Sequence, residues 1–190
     1  MSLPWIEDEA FNAIDFTKAA PQKAHYENCT FESCNFSGVD ISGFVFSDCT
    51  FTNCNLSMAK IDQTSFREAM FEGCKMLGLG FERCSAFLLS MKFANCVLDH
   101  VSFQRLALPK TSFSKCSLRG ADFSGANFSA ASFADCDFAD AVFDATNLEK
   151  ADFRSAFNYA IDPENNVLKK ARFSVSGLEG LLLKYNLVIE

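Results

Sequence analysis

Long apolar runs and the usual motifs of metal or nucleophile chemistry are absent from this sequence. No 18 consecutive residues are apolar, which excludes a candidate transmembrane helix. The opening residues, MSLPWIEDEAF, lack the apolar core of a secretion signal, so we expect a cytoplasmic protein with no membrane partner. Two His and nine Cys form no C-x2-C pair or Cys/His cluster, and no Ser-His-Asp set or phosphate loop stands out. We therefore expect no metal, no cofactor and no enzymatic activity.

The composition indicates the class of partner, the state of the cysteines and the order of the chain. The formal net charge is −7 at pH 7, which argues against nucleic-acid binding and suits solubility or a basic partner. The nine Cys form an odd set without an export signal, so we expect reduced thiols. Nearly half of the 190 residues are apolar, and 22 are Phe, which predicts an ordered chain with a substantial core.

A period of five residues runs through most of the chain. Residues 121–143, ADFSGANFSAASFADCDFADAVF, place Phe at every fifth position. The same step links residues 26–81 in one series and 88–153 in another. All 26 positions are apolar and 16 are Phe, whereas the residue two places earlier is usually small and never charged, with Phe44, Leu79, Met91 and Leu106 as the bulky exceptions. Each unit therefore has one large and one small inward residue, and only stacked units could bury them.

The units ADFSG, ANFSA, ADFRS and CDFAD resemble the A(D/N)LXX repeat of the pentapeptide-repeat family. The resemblance covers about residues 24–158. It implies an all-β protein, a right-handed quadrilateral parallel β-helix in which four pentads form one square coil. The 26 units would give about 6.5 coils, followed by a short C-terminal helix and strand.

The register slips by two residues between Phe81 and Leu88, an inward position of the second series. If the two extra residues bulge at a corner, six Cys stack in one interior ladder as compact apolar filler: Cys34, Cys54, Cys74, Cys96, Cys116 and Cys136. Parallel stacking is a poor geometry for disulfides. Phe87 and Leu89 would then point outward, either as local repacking or as an apolar contact patch. We expect His25 and His100 to face solvent.

Both ends of an open β-helix need a cap. Residues 1–23 are predicted to form the N-terminal cap, with Phe11, Ile14 and Phe16 as plugs. Residues 159–190 are predicted to form a C-terminal cap and dimerisation tail, with a capping box at residues 176–179 and a helix that Asn186 ends. The residues expected at the dimer contact are Leu178, Leu181, Leu182, Tyr185, Leu187 and Ile189. An intramolecular cap is the alternative, and residues 187–189 read as a short strand.

This tail is similar to those of the gyrase-protecting pentapeptide-repeat proteins, especially the microcin-immunity branch. In that group the C-terminal segment pairs two subunits end to end, and the protein binds DNA gyrase or topoisomerase IV by imitating duplex DNA. The candidate contact here is an acidic band with a net charge of −6 in residues 121–152, comprising Asp122, Asp135, Asp137, Asp140, Asp144, Glu149 and Asp152. The band spans about 8 Å, over which duplex DNA carries about five charges. Ordinary solubility of a β-helix is the alternative.

The resemblance implies a non-catalytic DNA-mimic-like protein that modulates or protects a type II topoisomerase against a poison. The Qnr members of the group carry two long inserted loops, whereas the repeats here are interrupted by only two residues. Protection against a gyrase-poisoning peptide is therefore as good a candidate as protection against quinolones. The competing hypothesis is a β-helical scaffold for protein–protein interactions that binds through Phe87 and Leu89 and has no topoisomerase role.

Overall fold

The computed structural model describes residues 3–188. These residues form thirteen short strands and one α-helix, α1 (Glu179–Leu182), with three 3-10 turns at Phe81–Arg83, Val175–Gly177 and Leu183–Tyr185. The strands are β1 (Trp5–Glu7), β2 (Ala10–Asn12), β3 (His25–Glu27), β4 (Thr30–Glu32), β5 (Val45–Ser47), β6 (Thr50–Thr52), β7 (Ser65–Arg67), β8 (Ala69–Glu72), β9 (Met91–Ala94), β10 (Ser112–Ser114), β11 (Ser132–Ala134), β12 (Asp152–Phe153) and β13 (Arg172–Phe173).

The strands stack in parallel as a four-sided solenoid of about eight turns. The nine-strand face has the order β13-β12-β11-β10-β9-β8-β6-β4-β2, and the four-strand face has the order β1-β3-β5-β7. On the two remaining sides of the solenoid, successive coils pair through isolated parallel β-bridges. The first bridge face runs from Asp15 to Phe157 and the second from Asp40 to Val142, while bridges from Ala107 to Val167 continue the four-strand face upward.

Aromatic stacking along the axis fills the interior. The Phe31 and Phe51 rings are 4.7 Å apart with planes at 8°, because these residues hold equivalent places in successive coils. All nine Cys are buried. Many pentads end in a residue with φ near +55°, the conformation that turns the chain through the corner of the square. The predicted β-helical fold is thus confirmed, and its inward positions carry the core.

The solenoid has more turns than the 6.5 counted from the repeats, because it extends at both ends. β1 and β2 pair with β3 and β4, so residues 5–12 continue the stack below residue 24. β13 pairs with β12 at the other end. The N-terminal strands were missed although the five-residue step continues down through Phe16, Phe11 and Ile6, because Pro21 holds an inward place and the charged Glu9 holds a small-residue place.

The register shift lies where the sequence placed it. Phe71 pairs with Phe93 at a spacing of 22 residues, and the Cys96 thiol donates to the Phe71 carbonyl at 3.4 Å. Cys74 and Cys96 therefore belong to one ladder, as predicted. Leu88 was wrongly assigned to the interior: it is 64% exposed and takes the corner conformation at φ 56°. Leu89 was wrongly assigned to the surface, because the bulge turns it against the core.

Candidate partner-binding surfaces

The seven carboxylates of the acidic band lie on all four sides of the solenoid. Asp135 and Asp152 lie on the nine-strand face, and Asp137 and Asp140 lie on the first bridge face. Asp122 and Asp144 lie on the second bridge face, and Glu149 lies on the four-strand face. They form a ring around the rod. The spacing in the sequence already contained this result, because position within a 20-residue coil determines the side.

Three of these carboxylates also stabilise turns. Asp122, Asp137 and Asp152 each accept a hydrogen bond from the backbone N–H two residues ahead, at 2.8, 3.1 and 3.1 Å. Asn127 and Asn147 do the same in their own coils. The Asp or Asn that precedes each large inward residue is therefore an Asx-turn residue, which the sequence analysis treated only as surface charge.

Basic side chains offset part of the charge in the ring. The Arg154 guanidinium donates to both oxygens of Asp152 at 2.7–3.1 Å, and this holds the pKa of that carboxyl below its usual range. Arg172 lies 3.8 Å from the same carboxylate. Asp135 and Asp140, by contrast, are exposed at corners, and Asp144 is exposed but accepts a hydrogen bond from the Asn165 side chain.

The bulge between the two registers exposes an apolar apex on the four-strand face. Phe87 is 65% exposed, as the sequence predicted, and Leu88 beside it takes the place expected for Leu89. The Arg67 guanidinium carbon lies 5.3 Å from the centre of the Phe87 ring, a cation–π distance. The apex therefore consists of Phe87 and Leu88 above the Arg67 side chain.

The two histidines differ in environment. His100 is exposed, as expected. His25 is largely covered instead, with its Nε2 3.0 Å from Ser47 Oγ and its ring centroid 3.8 Å from that of Trp5. Burial lowers the pKa of His25 below 6.5. The expectation of a solvent-facing His25 failed because β1 adds a coil beneath it and brings Trp5 over the ring.

The C-terminal segment packs on the end of the stack through a few polar contacts. Lys184 Nζ lies 2.6 Å from both Asp162 Oδ1 and Glu164 Oε2, and the Tyr185 hydroxyl donates to Glu164 at 2.9 Å. Lys184 lowers the pKa of each carboxyl. Ser174, not a residue of the predicted box at 176–179, caps this segment by accepting from the Gly177 N–H at 3.1 Å. Asn186 ends the last turn in the left-handed conformation, as predicted.

The residues predicted to dimerise fall into three groups. Leu181 packs against the core and Leu182 is half-buried, so both contribute to intramolecular packing. Leu178, Tyr185 and Leu187 are 43%, 49% and 58% exposed. Ile189 lies outside the described residues. Leu187 and Val188 are not in a strand, and Val188 is 87% exposed, so residues 187–188 do not form the strand expected there.

A cleft of about 760 Å³ separates this segment from the last coil, with Asp140 and Glu179 in its lining. Tyr159 forms the floor, and its buried hydroxyl has no hydrogen-bond partner among the described residues. Gly177 and Gly180 allow the close approach, because a Cβ on either would collide with Tyr159. In the described part of the chain no cluster of three or more His, Cys, Asp or Glu could hold a metal ion, and no helix is long and apolar enough to cross a bilayer.

Comparison with known proteins first defines the class. Among solved structures, a trypsin-treated variant of QnrB1, a plasmid-mediated fluoroquinolone resistance protein, aligns with a TM-score of 0.67 at 21% identity and covers 98% of this chain and 99% of that one. Full-length QnrB1 gives 0.61 at 22%, covering 96% and 100%. HetL, involved in heterocyst differentiation in the cyanobacterium Nostoc, gives 0.51 at 17%, covering 90% and 88%. These likenesses show the same parallel β-solenoid.

Family models then define the family. The model described as pentapeptide repeats (9 copies) matches residues 108–156. The model described as pentapeptide repeats (8 copies) matches residues 29–67 and 49–85. Together they cover more than half of the chain, which therefore belongs to the pentapeptide-repeat family, as the sequence resemblance predicted. No curated protein matches the sequence significantly.

Proposed function

We propose that this protein is a non-catalytic binding protein that modulates or protects a type II topoisomerase, DNA gyrase or topoisomerase IV, against a poison. The observation that carries the proposal is the end-to-end correspondence with QnrB1, a fluoroquinolone resistance protein, over 98% of this chain. The correspondence includes the C-terminal segment, whose sequence is similar to the tails of the gyrase-protecting group. A rod of stacked coils also has the simple convex shape that a DNA-binding groove accepts.

The ring of carboxylates supports an electrostatic contact with such a groove. Duplex DNA carries its phosphates around the whole circumference, about one charge per 1.7 Å of axis. The ring likewise distributes its charge around the rod, so a basic groove that encloses several sides would meet carboxylates on each. Asp135 and Asp140 are exposed at corners, and we assign them the main part of the contact.

The C-terminal segment supports end-to-end pairing of two copies. Leu178, Leu183, Leu187 and Val188 are all more than two-fifths exposed. A two-fold contact through this segment would bury them and would place the two acidic rings on either side of the dimer centre. The polar contacts of Lys184 would fix the segment on its own stack while its apolar side met the partner.

Two kinds of poison, a quinolone and a peptide, are compatible with this chain. The interruption at residues 85–90 adds only two residues to one coil, as the 22-residue pairing of Phe71 with Phe93 shows. The loops of the Qnr members, which the resemblance ties to drug protection, have no counterpart of that length here. A peptide poison and a quinolone are therefore both tested below.

The test is a supercoiling assay with purified gyrase, with and without each poison. The variant carries Asp135→Asn, Asp137→Asn and Asp140→Asn, which removes charge while Asn keeps the turn-forming oxygen and tolerates positive φ. Lys115→Glu, at an equivalent corner, is the matched surface control. We expect protection or inhibition with the wild type and the control, and a loss with the triple variant. No effect of the wild-type protein on enzymes from several sources would overturn the proposal.

The exposed apex favours the second candidate, a β-helical scaffold that binds another protein through Phe87 and Leu88. The variant Phe87→Asp separates the two candidates. It leaves the topoisomerase effect unchanged if the acidic ring is the contact, and it abolishes partner binding if the scaffold hypothesis is right.

A further inference from the structure

One corner of the solenoid carries a column of nine exposed residues with the same backbone conformation. It lies where the four-strand face turns into the nine-strand face, with φ between 48° and 62° at every position. Hydrogen bonds join neighbouring coils along the lower and the upper part of this corner: the Asn28 side chain donates to Asp8 Oδ1 at 2.6 Å, and the Lys150 N–H donates to the Lys169 carbonyl at 2.9 Å. Among the described residues no backbone hydrogen bond joins Leu88 itself to the coil below or above. From bottom to top the column is Asp8, Asn28, Asp48, Glu68, Leu88, Lys110, Ala130, Lys150 and Lys170.

The charge of this corner column reverses at its middle. All three acids lie below Leu88 and all three lysines lie above it, and all nine residues are exposed. In the column beside it only the outermost coils follow the same order, with Glu7 at the bottom and Lys169 at the top, because Arg67 lies below the middle and Glu149 above it. Outer positions of a β-helix need only be polar to keep it soluble, so solubility does not account for the separation of signs.

If a second copy is placed by a two-fold rotation against this corner column, the acids of each copy face the lysines of the other. Leu88 has four coils below it and four above, over a length of about 38 Å at the spacing of stacked strands. A two-fold axis through Leu88 places Asp8 against the partner copy's Lys170, and Glu68 against the partner copy's Lys110. It also places Asn28 opposite Lys150 and Asp48 opposite Ala130, so no like charges of the column face each other.

The axis passes through an apolar point. Phe87 and Leu88 are 65% and 64% exposed, and they project where the four-strand sheet stops at β7. Among residues 3–188 no backbone hydrogen bond joins residues 85–90 to residues 107–110 in the coil above. The two-residue bulge therefore exposes apolar side chains at the middle of the column, where the two copies of an isologous contact meet at the two-fold axis.

We propose that a second copy of this chain lies antiparallel along this corner column, with the two Leu88 side chains at the axis. The contact goes beyond the proposed function and uses a different surface from the C-terminal segment. A strip about 38 Å long and about 10 Å wide gives about 400 Å² per copy, half of the roughly 800 Å² of a standard interface. The association is therefore weak, and it weakens further as salt screens the charge pairs.

A charge-swap experiment tests the contact. Glu68→Lys and Lys110→Glu are made separately, and self-association is followed by analytical ultracentrifugation at low and high salt. Each variant alone places like charges in both 68–110 contacts, so we expect association about tenfold weaker than that of the wild type. A mixture of the two restores opposite charges in both contacts and recovers association. Any end-to-end pairing through the C-terminal segment is the same in every sample, so the difference between the separate variants and their mixture reports the corner column alone.

Matched controls and a position-specific readout complete the test. Lys115→Glu and Asp135→Lys change charge at an equivalent corner of the nine-strand face, where φ is 53° and 54°, and should leave association unchanged. Leu88→Cys should form an intermolecular disulfide under mild oxidation, whereas Leu77→Cys on the first bridge face should not. A mixture that associates no better than its components, or a Leu88→Cys variant that fails to cross-link at low salt, overturns the proposal.

Discussion

The coil stack and the C-terminal segment hold their side chains in different ways. In the stack the five-residue unit determines which side chains point inward, and these are almost completely buried from Ala24 to Phe153. The turns and the helix between Val175 and Tyr185 contain no buried residue. The stack is therefore stabilised collectively by many apolar contacts, whereas the segment depends on a few ion pairs and close approaches. The less tightly packed region is the one left with apolar surface for a partner.

The largest expected effect comes from breaking an axial stack in the core. Phe51 is fully buried between Phe31 and Phe71, with ring centroids 4.7 and 4.9 Å away. Phe51→Ala should lower the free energy of unfolding by about 3–5 kcal/mol, because it leaves a cavity where the ring packed against the coils below and above. Denaturant unfolding measures the change. Thr52→Ala, next to it but outward, should have little effect, and equal effects of the two would contradict the collective core.

A change in the C-terminal segment should be smaller and local. A Cβ at Gly180 would collide with the Tyr159 backbone and ring. Gly180→Ala should therefore cost about 1–3 kcal/mol of docking free energy for the segment and leave the stack intact. Hydrogen exchange should quicken at residues 175–186 but not at β4, β6 or β8. Global destabilisation equal to that of Phe51→Ala would show that the segment and the stack unfold together.

The ion pairs of Lys184 should make docking of the segment pH-dependent. The pKa values of Asp162 and Glu164 are lowered by hydrogen bonds from Lys184, so their stabilisation is present above their ordinary values, near 4, and is lost as pH falls through the lowered ones. Protection of the amides in residues 178–185, measured relative to their intrinsic exchange rates at each pH, should therefore decrease on acidification. Lys184→Met should weaken this pH dependence, leaving the part due to the Tyr185 hydroxyl on Glu164 and the backbone N–H on Asp162, and an unchanged pH dependence would contradict the role of Lys184.

The smallest effect is expected at the lowest coils. The folded state lowers the pKa of His25 below 6.5 chiefly by burial, so stability is unaffected above that value and decreases as pH falls from 6.5 through the folded pKa. Trp5, the only tryptophan, lies against this ring and reports its titration by fluorescence. The midpoint should lie below 6.5 and disappear in His25→Gln. A midpoint above 6.5 would contradict a covered neutral imidazole.

Sequence periodicity predicted the stack because one rule, a large inward residue every five positions, governs its whole interior. It placed the register shift and the cysteine ladder correctly, since both follow from counting in units of a coil. It failed at Leu88 and Leu89, where two inserted residues change which side chain the corner exposes. It also missed the lowest coil, because Pro21 at an inward place and Glu9 at a small-residue place break the residue pattern while the five-residue step continues to Ile6.

The candidate surfaces were harder to predict because outer positions obey no single rule. The roles of Asp122, Asp137 and Asp152 as turn residues were hidden by the use of both Asp and Asn in that place. The ring arrangement of the acidic band was recoverable from coil arithmetic. The neutralisation of Asp152 by Arg154 was not, because it depends on side-chain rotamers.

The measurement that tests the central claim most directly is binding of this protein to purified DNA gyrase in competition with duplex DNA over a range of salt concentrations. The proposed function predicts that binding is displaced by duplex DNA, weakens steadily as salt rises, and is reduced when Asp135 and Asp140 are changed to Asn. Binding that is indifferent to duplex DNA, or no binding at low salt by folded protein, would contradict it.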